Sequence, residues 1–122
     1  MVRVLIVDDE EPIRVLLKYV FKVFRPDYEV MTVIDAPAAL TQLEQQLMDV
    51  AIVDYQLPGM NGIELAYTLR QRWPALRVIL ISGNPPVDVK HHLEQLRLAG
   101  YLKKPFSPQQ LIEVVDGADT FL

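Results

Sequence analysis

Four short apolar runs, Val4–Val7, Val30–Ile34, Val50–Val53 and Val78–Ile81, alternate with stretches whose apolar residues recur at helical spacing. The runs are rich in β-branched residues. Three of them are nearly continuous, as expected of strands covered on both faces. A fifth, Gly100–Lys103, is shorter and more polar and reads as an edge strand. Between them, five apolar stripes predict helices that face a core: Ile13, Leu16, Leu17, Val20 and Phe24; Leu40, Leu43 and Leu47; Leu65, Leu69 and Trp73; Val89, Leu93 and Leu96; and Leu111, Ile112, Val115 and Ala118. Pro12 stands just inside the first helix, Pro74 ends the third, and Ser107-Pro108 opens the fifth as cap and first position. Strand and helix thus alternate five times. That order predicts an α/β fold, a parallel sheet with helices on both faces, since short right-handed crossovers leave few other arrangements.

Composition narrows the class. A chain of 122 residues suits one domain, and 51% hydrophobic content argues against disorder. There is no cysteine, so a disulfide framework and a thiolate metal site are both excluded. A formal charge of -4 weighs against nucleic acid as the direct partner. The N-terminal MVRVLIVDD turns acidic too soon for a signal peptide, and no apolar stretch approaches the ~20 residues of a membrane span. The expectation is a soluble, cytoplasmic, single-domain protein with no membrane association.

In open α/β sheets, ligands sit beyond the carboxyl ends of the strands. Asp8-Asp9-Glu10-Glu11 follow the first run, Asp54 the third, Ser82-Gly83-Asn84 the fourth and Lys103-Lys104-Pro105 the fifth. Each fragment has an ordinary reading: acids at a helix N-terminus, a turn aspartate, a loop hydroxyl bonded to its own backbone, a solvated lysine. Together they bring three carboxylates, a hydroxyl and an ammonium to one end of a sheet. Crowded carboxylates raise one another's pKa and need a cation. Lys104 supplies one charge. A hard divalent ion bound through oxygen, as Mg²⁺ is, would supply two more.

In the order LIVDDE, DVAIVDYQLPGMNGIEL, VILISG and YLKKPF, the chain resembles the receiver domain of two-component response regulators over essentially its whole length, residues 1–122. The resemblance implies a doubly wound, flavodoxin-like sheet of strand order 2-1-3-4-5, one of the common orders for such sheets. It implies Mg²⁺-dependent transfer of a phosphoryl group from the phosphohistidine of a sensor histidine kinase, or from a phosphotransfer protein, to Asp54. Asp8 and Asp9 would hold the metal with Asp54 and the backbone carbonyl of Gln56. Ser82 would bind the phosphoryl oxygen, Lys104 would pair with it, and Tyr101 would change rotamer. Lys104-Pro105 matches a cis peptide of the family. Such a domain catalyses its own phosphorylation and dephosphorylation without being a conventional enzyme.

The implied output face is Val89–Leu98, Gly100–Lys103 and Gln109–Val115, presented to a downstream effector, with a phosphorylation-dependent dimer also admitted. Gln56 and Asn84 are expected to tune the phosphoryl lifetime through water access. The sequence departs from the family at Ser82, where threonine is commoner, and at Pro85-Pro86 in the segment that should move. His91-His92 is expected to be solvated and Trp73 to pack. Plain packing is the alternative for Tyr101. An interaction module of this fold whose site is never phosphorylated is the rival reading; an aspartyl phosphatase would want a second acid where Gln56 stands.

Overall fold

The computed structural model describes residues 1–84 and 88–117. Five strands, β1 (Arg3–Val7), β2 (Glu29–Val33), β3 (Val50–Asp54), β4 (Arg77–Ser82) and β5 (Gly100–Lys103), alternate with five helices, α1 (Glu11–Phe24), α2 (Ala36–Gln45), α3 (Gly62–Arg72), α4 (Val89–Gln95) and α5 (Pro108–Val115). All strand pairs are parallel, in the order β2-β1-β3-β4-β5. The sheet is therefore doubly wound, as the resemblance implied.

The apolar runs are continuous because each strand feeds two cores. Leu5, Val7, Ala51, Val53, Val78 and Leu80 pack with α2, α3 and the end of α4. Val4, Ile6, Val50, Ile52, Ile79 and Ile81 pack with α1 and α5. Every residue of β3 is buried, so each side chain of this strand loses its water whichever face it takes. Full burial of a Val, Leu or Ile is worth ~2 kcal/mol, and this central strand collects it on both sides.

Caps set the helix starts. Asp35 accepts the Ala38 amide at 2.9 Å to open α2. Asn61 and Glu64 form a reciprocal capping box on α3, and Ser107 and Gln110 form another on α5, as Ser107-Pro108 predicted. Ala118 and Pro85-Pro86 lie outside the described residues, and α4 begins at Val89.

Three expectations about faces are corrected. In α1 the buried residues are Leu17, Val20 and Phe21, whereas Leu16 and Phe24 are 54% and 47% exposed. Leu47 falls beyond the end of α2 and is exposed, and Met48 takes the core position. His92 is not solvated: its ring is edge-on to Tyr67 at 6.3 Å and its Nε2 pairs with Asp88 at 3.1 Å. His91 is exposed as expected. Trp73 packs against the core, with the Arg72 guanidinium over its ring at 4.5 Å.

Candidate functional site

The carboxyl ends of β1, β3, β4 and β5 deliver Asp8, Asp54, Ser82 and Lys104 to one rim. Asp54 is the last residue of β3, and the main chain of the next residue, Tyr55, is held from both sides. The Tyr55 amide donates to Ile81 O at 2.8 Å, and the Gly62 amide donates to Tyr55 O at 2.7 Å. The loop between them carries Pro58 and then Gly59, whose φ of 81° lies in the left-handed region that glycine enters freely. The Gln56 amide reaches back to Asp54 Oδ1 at 3.3 Å.

Ligand atoms of Asp8, Asp9, Glu10 and Asp54 all lie within 4.8 Å of one another. Asp8 and Asp54 are buried, while Asp9 and Glu10 are exposed. Lys104 Nζ stands between the buried pair, 3.5 Å from Asp54 Oδ2 and 3.7 Å from Asp8 Oδ2. This ammonium faces two of the four clustered acids. Burial is the main reason both inner carboxyls resist ionisation. It pushes Asp8 up to about 6, against the Glu10 amide that bonds its Oδ1 at 2.8 Å, and the charge of Asp54 pushes the same way. Asp54 is raised too, chiefly by burial, with Lys104 and the Gln56 amide pulling it back.

The second oxygen of Asp8, Oδ2, is buried without a hydrogen-bond partner. An orphaned carboxylate oxygen in a nest of acids is a donor set that a hard divalent cation satisfies. The residues present therefore fit such an ion: oxygens only, with several negative charges.

The raised Asp8 carboxyl makes a pH prediction for the metal-free protein. The folded state keeps a proton that the unfolded chain, with the ordinary carboxyl value of 3.8, has already lost. The contribution of Asp8 to stability is thus fully present below the unfolded pKa and is lost as pH rises through the folded one, near 6. In chelator, the melting temperature is expected to rise as pH drops from about 7.5 to about 5. Asp8→Asn should flatten that slope, and magnesium should restore stability at the higher pH. Thermal melts with chelator and with magnesium check it.

Ser82 is buried, yet its hydroxyl donates to Asn84 O at 2.8 Å and accepts the Asn84 amide at 3.1 Å. It is bonded to its own loop. Tyr101 is half-buried, with its hydroxyl 3.5 Å from Ser82 O, the same carbonyl that accepts the Lys104 amide at 2.8 Å. The serine carbonyl therefore joins β4, Tyr101 and the residue that faces the acids. The Lys104-Pro105 bond is cis.

Glu10, which the sequence placed after the first run without a ligand role, joins the acid cluster. One residue of the rim escaped sequence reasoning. Arg14 donates from Nη1 to Asp8 O at 2.9 Å and so fixes the acidic loop onto the first turns of α1; its helical spacing carried no hint of that contact.

Comparison with known proteins gives the same picture. The family model for the response regulator receiver domain matches residues 4–116. The chain is 33% identical over 109 residues to the alkaline phosphatase synthesis transcriptional regulatory protein PhoP of Bacillus subtilis, matching 89% of this chain and 45% of PhoP. It thus spans less than half of that relative. A CheY-like receiver domain protein of Methanospirillum hungatei superimposes with a TM-score of 0.88 at 27% identity, covering 95% of this chain and 91% of that one. The chemotaxis response regulator CheY4 of Vibrio cholerae gives 0.84 at 27% identity, over 95% and 97%. No helix among the described residues is long and apolar enough to cross a membrane. Fold, rim and relatives agree, and the chain belongs to the response regulator receiver family, the phosphoacceptor domains of two-component signal transduction.

Proposed function

We propose that Asp54 is the phosphoacceptor, and that residues 1–122 form one receiver unit acting in the cytoplasm. The observation that carries this reading is the placement of Lys104 Nζ within 3.7 Å of both buried acids at a single sheet end. An Asp54 oxygen attacks the phosphorus of a phosphohistidine; the P–N bond breaks and an acyl phosphate forms. Carboxylates are recognised nucleophiles for this transfer, which needs positioning and charge neutralisation more than covalent help. β3 and the two backbone bonds around Tyr55 supply the positioning.

Asp8, Asp9 and Asp54, with the Gln56 carbonyl, would hold Mg²⁺, which when bound neutralises charge on the phosphoryl oxygens. Lys104 turns from its shared position to pair with the new anion. Ser82 must give up its bonds to Asn84 to donate to a phosphoryl oxygen. That release loosens the segment whose carbonyl Tyr101 faces, and so reaches the α4-β5-α5 face. A groove of about 410 Å³ along α4 and the turn that follows it, lined by Lys90, Leu93, Glu94, Arg97 and Leu98, is the α4 part of a surface for an effector or effector domain.

The test is incubation with acetyl phosphate and magnesium, followed by intact mass and peptide mapping. One added phosphoryl group on the peptide carrying residue 54 is expected. An unchanged mass, with no beryllofluoride-induced shift at Ser82 or Tyr101, favours the unphosphorylated interaction module instead.

The phosphodonor has its own surface on this reading. α1 starts beside the acids and exposes Val15, Leu16, Tyr19 and Val23 at 52–63%. An apolar helix flank of that kind marks a protein contact, and a kinase must rest close to the rim to reach a buried acceptor. Val15→Glu with Tyr19→Glu is expected to slow transfer from a phosphorylated kinase by about tenfold or more. Labelling by acetyl phosphate should stay unchanged. Equal losses with both donors would remove α1 from the docking surface.

A further inference from the structure

The C-terminal end of α4 is tied down by a side chain from another helix. Leu98 N donates to Leu93 O at 3.0 Å and Arg97 N to Glu94 O at 3.3 Å, the paired bonds that close a helix through a left-handed residue. Glycine normally takes that position, but here Arg97 does, with φ of 52°. The carbonyls that a helix end leaves without partners are taken up by Arg70 of α3. Its Nε donates to Leu96 O at 2.8 Å and its Nη2 to Arg97 O at 3.3 Å. Its Nη1 donates to Pro74 O at 2.8 Å and Leu76 O at 2.9 Å, joining the same guanidinium to the loop before β4. The guanidinium reaches four carbonyls from three nitrogens held in one plane, whereas an ammonium has three donors on a single atom.

One turn earlier on α3, Tyr67 donates its hydroxyl to Gln95 Oε1 at 2.8 Å and meets the His92 ring edge-on. α3 is itself immobilised at its start. A Cβ on Gly62 would stand 2.5 Å from Asp54 O, so the helix is seated directly on the backbone of the acceptor residue. A fixed rod thus runs from residue 54 to the far end of α4.

We infer that Arg70, supported by Tyr67, is a positioning residue of the switch: it pins the C-terminal end of α4 to α3, so that α4 responds to phosphorylation by pivoting about Leu96–Leu98 rather than by shifting as a body. The pivot rests on the receiver reading above. The pin rests on the contacts alone. Movement of the Ser82 loop then enters α4 at its N-terminal end, is largest at Lys90 and His91 and decays toward Glu94, while Leu96 and Leu98 stay in the core.

Amide hydrogen exchange on the full chain, by NMR with and without beryllofluoride and magnesium, tests both parts. In the unactivated protein, Arg70→Leu is expected to speed exchange at Leu96, Arg97 and Leu98 by about tenfold or more while the β3 amides hold. Tyr67→Phe, which removes one hydroxyl and keeps the fold, should do so more weakly. Exchange within about twofold of the parent in both variants overturns the pin. On adding beryllofluoride to the parent, amides at 89–92 should change and those at 96–98 should not; in Arg70→Leu the change should spread to 96–98. Equal changes across 89–98 in the parent, with the Asp54 rim responding, overturn the pivot and leave the receiver reading intact. A silent rim overturns the receiver reading, and the pivot with it. A general loss of stability would not redistribute the response along α4, so melting curves of the same variants separate the two effects.

Discussion

Asp54→Asn is expected to abolish acetyl phosphate labelling completely, since no neighbouring acid can replace a nucleophile placed by β3. Asp8 is buried behind the Glu10 amide, and Asp9 and Glu10 sit on a solvent-exposed turn of the rim rather than at a strand end. The variant also separates chemistry from folding. The substituted amide keeps the shape of the side chain and loses a charge that burial already disfavours. In the metal-free protein near neutral pH, the variant should therefore melt no lower than the parent. Lys104 retains Asp8 as a partner. Peptide mapping after labelling, alongside a thermal melt, gives both readings. A phosphorylated peptide still carrying position 54 would refute the assignment, and a large drop in melting temperature would show that the loss came from unfolding.

Gly62→Ala is expected to be the most damaging single methyl that can be added near the site. The new carbon would meet Asp54 O at 2.5 Å, Tyr55 Cα at 2.8 Å and Leu80 Cδ1 at 2.9 Å. The first two are backbone atoms of the strand end and cannot swing aside as a side chain tip can. Relief requires α3 to lift from β3, breaking the Gly62 amide bond to Tyr55 O. Overpacking of this kind costs about 3 kcal/mol, which for a domain of this size lowers the melting temperature on the order of 10 °C. Calorimetry measures it. The same change at Gly83, where an added carbon meets nothing within 4 Å, is the control and should leave packing undisturbed.

The strands were legible because burial on both faces leaves an uninterrupted apolar signature. Their first residues were not. Arg3, Glu29 and Arg77 each begin a strand one residue ahead of its apolar run, because backbone pairing continues past the core: Arg3 pairs with Glu29 and Arg77 with Val50. The face of α1 was misread for the opposite reason. Apolar residues cover most of its circumference, so periodicity alone could not choose Phe21 over Leu16 and Phe24. Asp8, Asp54, Ser82 and Lys104 were legible because each ends a strand or directly follows one, and parallel strands share their ends. The direction of the Ser82 hydroxyl was not, since it depends on a rotor bonded to its own loop. Arg70 and Tyr67 carried no signal at all. Their importance comes from where α3 and α4 meet, and that contact is set by tertiary packing.

The cation of the rim comes from the end of a four-residue edge strand that is paired on one side only, through Ile79–Ser82 of β4. The acids come from central strands. Edge elements open at lower free energy than the middle of a sheet, so fraying at β5 would carry Lys104 away while every carboxylate stays in place. Competence to receive a phosphoryl group would then vanish under mild denaturant well before the fold itself melts, leaving a native-looking but silent domain.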